Sequence, residues 1–321
     1  MRQLRWWLLF RERGAMRDSV RRIVFWAAIV IALGCFGFAA WYHYSNYRAA
    51  RIYEQTRSEM EEAAKATEAA TDKGAETETA VKSVTLDEIL AAEFTGEIDG
   101  EAPKIPEDVL TEVREHPVDF DVLHSYNPEL YAWIRVPGSN IDYPVAQHEG
   151  EDQGFYLHHD LYGTPQFAGC IYSEAPSAKD FSDPVTVLYG HNMKNGSMFQ
   201  NLHRFRERDF FEAHPYVYIY TPEDTLVYRI LSVYAYDSRD IMESFDFTDT
   251  EELERYLDSA ANPRSMEANV RRELSVTKDD HILTLSTCIT GDTGSRLLLQ
   301  AVLTYETDLE LQTEDAAQNE S

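Results

Sequence analysis

The sequence predicts a mainly β domain preceded by one membrane-spanning helix, and three observations predict it. Nine short runs rich in β-branched and aromatic residues follow one another between Ala132 and Glu306, separated by Gly, Pro and Asn. One helix-period segment interrupts them near residues 248–260. Residues 23–42, IVFWAAIVIALGCFGFAAWY, are 20 positions without a charge, about what a helix needs to cross the hydrocarbon core of a bilayer.

The apolar run comes first. Residues 1–22 hold seven arginines against Glu12 and Asp18, a net of +5, so the chain beyond residue 42 carries −32 of the total −27. Arginines before the span and acid after it predict a cytoplasmic N-terminus and an extracellular remainder. Trp26, Trp41 and Tyr42 sit near the ends of the run, where amphipathic rings favour the interface. AAWYHYSNY offers no small-residue cleavage site, so the segment reads as an uncleaved signal anchor. The resulting division is a basic cytoplasmic segment 1–22, a transmembrane anchor 23–42, a spacer 43–105, a catalytic domain 106–309 and a disordered tail 310–321. The spacer is Ala/Glu/Thr-rich with few large apolar residues, a composition that buries no core.

Phe120, Leu123, Leu130 and Trp133 have spacings that suit short helices broken at Asn127-Pro128. The strand-like runs then follow: AWIRV, IDYPVAQ, GFYLHHD, AGCIYS, VTVLYGH, YVYIYT, TLVYRILSVYAY, HILTLSTC and RLLLQAVLTYE. Alternation with frequent turn residues points to a barrel or sandwich rather than βαβ units. In FTDTEELERYLDSA, Thr248 and Glu251 have capping-box spacing, and Leu253, Tyr256, Leu257 and Ala260 share one face.

The acidic balance argues against nucleic acid as a partner, because a phosphate backbone needs a basic surface. Three cysteines, Cys35, Cys170 and Cys288, are too few for a disulfide framework. His158-His159 is the only histidine pair, so no metal or cofactor is expected. The informative stretch is HILTLSTCITGDTGSRLLLQAVLTYE. Two strands joined by a short loop would form a hairpin with Cys288 opposite Arg296, Cβ atoms about 5 Å apart. A thiol acts as nucleophile only as thiolate, and Arg296 supplies positive charge but is a poor base. A proton carrier must come from elsewhere. His191, in VTVLYGHNMKNGSMF, has the best setting, a polar loop behind a buried strand. His158 and His159 come next, and His281 belongs at the far end of the Cys288 strand.

TLSTC followed by SRLLLQA, with LYGHNMKNGSMF about a hundred residues upstream, resembles the sortases, cysteine transpeptidases of Gram-positive cell surfaces. NPELYAWIRVPGSNIDYPVAQ, DQGFYLHHDLYGTPQFAGCIYS and the helix near 248–260 resemble class B in particular. The resemblance covers about residues 120–305. It implies a closed eight-stranded β-barrel with N-terminal helices and one inserted helix. It further implies Cys288 as nucleophile, His191 as proton carrier and Arg296 as oxyanion or peptide support, with Ser286 and Thr287 as substrate contacts. The implied partners are the sorting-signal peptide of a secreted surface protein and an amine acceptor, either a peptidoglycan precursor or a pilin lysine. Gln153 stands where class B relatives often have Asn, and Cys170 where Ser is common.

Two enzyme rivals fit less well. An L,D-transpeptidase wants Cys and Arg almost adjacent, which STCITGDTGSR does not provide. A papain-like protease has its Cys on a helix ahead of its His. A membrane-tethered binding module without catalysis would have no need of His191, Cys288 and Arg296 together.

Overall fold

The computed structural model describes residues 2–74 and 118–308. The spacer positions 75–105, residues 106–117 and the tail 310–321 lie outside the described residues. The chain divides into two units, Met1–Arg51 and Ile52–Ser321. Helix α1 runs over Arg2–Gly74. Its apolar stretch, within Arg22–Ala63, is long and apolar enough to cross a membrane. Ile23, Phe25, Trp26, Ile31 and Phe36 are all exposed there.

The second unit is a barrel. After helix α2 (Phe120–Tyr126) come β1 (Leu130–Val136), β2 (Ile141–Gln147), β3 (Ile171–Ser173) and β4 (Val185–Tyr189). A 3₁₀ segment (Phe199–Arg206) and helix α3 (Arg208–Ala213) lead to β5 (Tyr216–Tyr220) and the long β6 (Asp224–Asp237). Helices α4 (Ile241–Ser244) and α5 (Thr250–Ala261) precede β7 (Asn269–Val270), β8 (Ile282–Ile289) and β9 (Asp292–Asp308). The strand order is β5-β1-β2-β3-β4-β8-β9-β6, and β5 pairs with β6 to close eight strands into a ring. The two-residue β7 pairs with β6 outside that ring. Closure leaves the ring no unpaired edge.

Helix α5 packs on the outside of the sheet through Leu253, Tyr256, Leu257 and Ala260, the face its sequence period predicts. Beneath it lie Val185, Val187, Ile282, Leu298 and Val302 from β4, β8 and β9. A closed polar network pins the contact. Tyr256 and Thr284 hydroxyls bond at 2.8 Å, Thr284 Oγ1 donates to Gln300 Oε1 at 2.7 Å, and Gln300 Nε2 donates to Tyr256 Oη at 3.0 Å.

Four expectations need correction. The helix cap is Asp249, whose carboxylate accepts from Glu251 and Glu252 N–H, while Thr248 donates to Asp246 instead. Leu130 and Trp133 belong to β1 rather than to a second short helix. GFYLHHD is no strand. Phe155–Leu157 is a 3₁₀ turn, where the His159 ring stacks on Phe155 at 3.7 Å and its Nδ1 donates to the Phe155 carbonyl. Such i,i+4 contacts belong to turned backbone, because in a strand the same two positions would lie about 13 Å apart. The spacer reading also fails over residues 52–63. Tyr53, Thr56 and Met60, spaced three and four apart, are buried. Tyr53 donates to the Gly169 carbonyl and sets its ring edge-on to Tyr143, and Arg57 pairs with Asp142 at 2.8 Å. A narrow stripe of three buried residues is enough to dock a helix although the surrounding composition is polar.

Candidate active site

Strand β8 delivers the cysteine. Outward positions Ile282, Thr284 and Ser286 alternate with Leu283, Leu285 and Thr287, which point into the barrel. Thr284 lies under α5 and Ser286 is 5% exposed, whereas Cys288, next on that face, is exposed. Cys288 pairs across the hairpin with Arg296, and Arg296 pairs in turn with Tyr236 on β6. The structure therefore brings the thiol and the guanidinium onto neighbouring strands in one register row. One row deeper on the same face lie Tyr172, Tyr189, Ser286, Leu298 and Tyr234, from five adjacent strands. Tyr172 and Tyr189 stack at 5.4 Å. Arg296 Nη1 donates to the Ser295 carbonyl at 3.2 Å, which bends its side chain back along β9.

His191 follows β4 directly. Gly190 stands between them because the space is filled. A Cβ there would lie 2.6 Å from Ile171 Cδ1 and 2.8 Å from the Phe199 ring. The loop beyond is closed by an Asn192–Met198 bridge, by Phe199 N–H donating to the His191 carbonyl at 2.9 Å, and by Met198 N–H donating to Tyr143 Oη at 3.1 Å. The His191 ring lies parallel to Phe167 at 5.7 Å, and His158 stands 5.9 Å away. Its Nε2 contacts the Leu157 carbonyl at 2.8 Å. A carbonyl only accepts, so Nε2 carries the hydrogen and Nδ1 is the nitrogen left to exchange a proton. Burial pushes the His191 pKa down, and the Leu157 contact offsets this in part. The 154–160 segment thus serves the site as the turn that presents the Leu157 carbonyl. His281, by contrast, lies at the far end of β8 and bonds the Asp183 carbonyl.

Thr287 is 2% exposed and its hydroxyl donates to the Gly190 carbonyl at 2.7 Å, which ties the Cys288 strand to the His191 loop. Gln153 is likewise engaged. Its amide oxygen accepts from Ala175 N–H at 2.7 Å and its nitrogen donates to the Gly150 carbonyl at 3.3 Å. Sequence reasoning missed Tyr172, Tyr189 and Tyr236. Alternation within AGCIYS, VTVLYGH and TLVYRILSVYAY gives each ring a strand face, but which face meets α5 is a tertiary fact. It also missed Asn192 and His203, whose side chains both reach the Cys288 carbonyl.

A family model described as the sortase domain matches residues 134–304. Sortase B of Listeria monocytogenes is 32% identical over 179 residues, 56% of this chain and 69% of that protein. Among solved structures, Clostridium perfringens sortase B matches with a TM-score of 0.53 and 32% identity, over 58% of this chain and 100% of that one. Bacillus anthracis sortase B matches with a TM-score of 0.51 and 30% identity, over 58% and 83%.

Proposed function

This chain belongs to the sortase family, the cysteine transpeptidases that act on sorting-signal proteins and cell-wall amine acceptors, and from that premise we propose that it works through a thioacyl-enzyme on Cys288. The observation that carries the reading is the exposed Cys288 opposite Arg296, with the loop of His191 tied to the Cys288 carbonyl through Asn192.

In the first half-reaction the thiol proton passes to His191 Nδ1 and Sγ attacks the carbonyl carbon of the threonine of the sorting signal. The C–N bond then breaks, the leaving amine takes the proton from His191, and a thioester remains. In the second half the acceptor amine attacks that thioester and loses a proton to Nδ1. The C–S bond breaks and the proton returns to the thiol. Arg296 supports the oxyanion of each tetrahedral state or the bound peptide, a role suited to a planar group with several donors. A His191 ring kept neutral by burial is ready to accept the thiol proton near neutral pH. Ser286, beside Cys288 on the outer face, remains a substrate contact in this reading. The acceptor is a cross-bridge or diaminopimelate amine of peptidoglycan, or a pilin lysine. The arginine-rich segment before the apolar helix supports a cytoplasmic N-terminus with the barrel outside the cell.

The test is mass spectrometry of the protein mixed with a pool of threonine-containing pentapeptides and several amines. Cys288→Ala should abolish the acyl adduct, and Cys170→Ala should leave it within a few-fold. A thiol label that inactivates the protein while attached only to Cys170 would sink the assignment.

A further inference from the structure

We propose that Asn192 and His203 are positioning residues that hold the Cys288 main chain at a set distance from His191. The inference rests on Cys288 as nucleophile and His191 as proton carrier. The pairing of β8 with β9 slips between Cys288 and Ile289. At that point the Cys288 carbonyl takes its partners from side chains. Asn192 Nδ2 donates to it at 2.9 Å and His203 Nε2 at 3.0 Å. Two donors fill both lone pairs of that oxygen. The second Asn192 hydrogen reaches Thr290 Oγ1 at 2.9 Å, so one amide spans the turn just beyond the nucleophile.

Both donors come from one braced stretch. Asn192 is the residue after His191, and its main chain is locked by the bridge to Met198. His203 lies on the 3₁₀ segment Phe199–Arg206 that begins immediately afterwards. The element that carries His191 therefore grips the residue that carries the thiol, at two points, through side chains alone. Fixing the Cys288 carbonyl fixes the peptide plane after its Cα, and so restrains the Cα–Cβ bond from which Sγ projects. Because the Cys288 carbonyl accepts, His203 Nε2 must carry a hydrogen, and burial keeps this ring neutral by pushing its pKa down.

The two bonds sit at the exposed rim, where water can replace a lost donor. Their loss should cost little stability and much alignment, since a displacement of about 1 Å can cost about 10²-fold in rate. The experiment uses the full chain in detergent, the best-cleaved peptide of the threonine pentapeptide pool, and hydroxylamine as acceptor. Asn192→Ala should lower kcat by about 10- to 100-fold and His203→Ala by about 5- to 10-fold, with KM within about threefold. His203→Gln, whose amide nitrogen reaches the same place, should recover most of the loss. Asn192→Asp, which sets a carboxylate against a carbonyl, should not. Melting temperatures should stay near wild type throughout. The proposal is overturned if both alanine variants keep kcat within twofold, if the loss lies in KM, or if His203→Gln is no better than His203→Ala. Hydroxamate formation by Cys288→Ala would instead overturn the nucleophile assignment beneath it, so the two failures are distinguishable.

Discussion

Replacing Thr287 by valine separates two roles for the residue next to Cys288. As a substrate contact, its loss should raise KM and leave the fold alone. As a strut, its loss should do the reverse. The side chain is 2% exposed, and its hydroxyl donates to the Gly190 carbonyl across the β4–β8 junction at 2.7 Å. Valine keeps the volume and removes the donor, leaving a buried carbonyl short of a partner, which costs about 1–3 kcal/mol. For a domain of this size about 1 kcal/mol moves the melting temperature by about 2–4 °C, so a fall of about 2–12 °C is expected. Thr287→Ser keeps the hydroxyl and should lose about 1 kcal/mol or less, from the missing methyl. The assay is thermal unfolding by circular dichroism beside steady-state kinetics on a cleaved peptide. A valine variant that melts with wild type while KM rises tenfold would refute the strut and restore the substrate contact.

Three further outcomes are expected. Arg296→Lys should lose about 10²–10³ in kcat/KM, because an ammonium cannot reproduce the guanidinium fork; retention of more than about a third of wild-type activity, under ~0.7 kcal/mol, would leave Arg296 acting only as a charge. Glu174 is pushed up to about 7 by burial and by the neighbouring Asp240 and Glu243. Its folded pKa lies above the unfolded one, so folding is penalised as pH rises from about 4.5 through about 7. Glu174→Gln should therefore raise the melting temperature at pH 8 and not at pH 4.5, and an equal shift at both would contradict the cause given. Finally, Tyr53→Phe should cost about 1–2 kcal/mol through the lost bond to Gly169, and Tyr53→Ala about 3–5. A fragment 106–321 should then melt below a fragment 43–321, and equal melting would show that residues 52–63 contribute nothing.

The sequence was most legible where one physical signal decided the outcome. IDYPVAQ became β2 over the same seven residues, because β-branched and aromatic residues between PGSN and HEG leave one choice. The buried face of α5 followed from the 3.6-residue period, although Asp249 rather than Thr248 caps it. Asp and Thr are both good caps, and two adjacent candidates cannot be ranked by spacing alone. Cys288 opposite Arg296 came directly from a short hairpin. Legibility failed where two remote segments had to meet. Nothing near Tyr53 announces Gly169, 116 residues later. Nothing in QNLHRF announces that His203 will reach the carbonyl of Cys288, 85 residues on. Such contacts depend on barrel closure, which sequence period does not encode.

The two thiols of the barrel differ through their position on the sheet, which buries one and exposes the other. Cys170 is 2% exposed, with Tyr53 and the Pro144 carbonyl around its sulfur. Burial pushes its pKa up to about 12, which leaves about one thiolate in 10⁵ at neutral pH. Even that fraction would have no path to a peptide. Cys288 is exposed, whereas Ile282 and Thr284, earlier on the same face of β8, lie under α5, and Ser286 between them and Cys288 is 5% exposed. The helix needs a face of only four buried residues, Leu253, Tyr256, Leu257 and Ala260, to cover the sheet that far. The Tyr256 hydroxyl closes that layer through Thr284 and Gln300, and the thiol stands further along the same face, opposite Arg296.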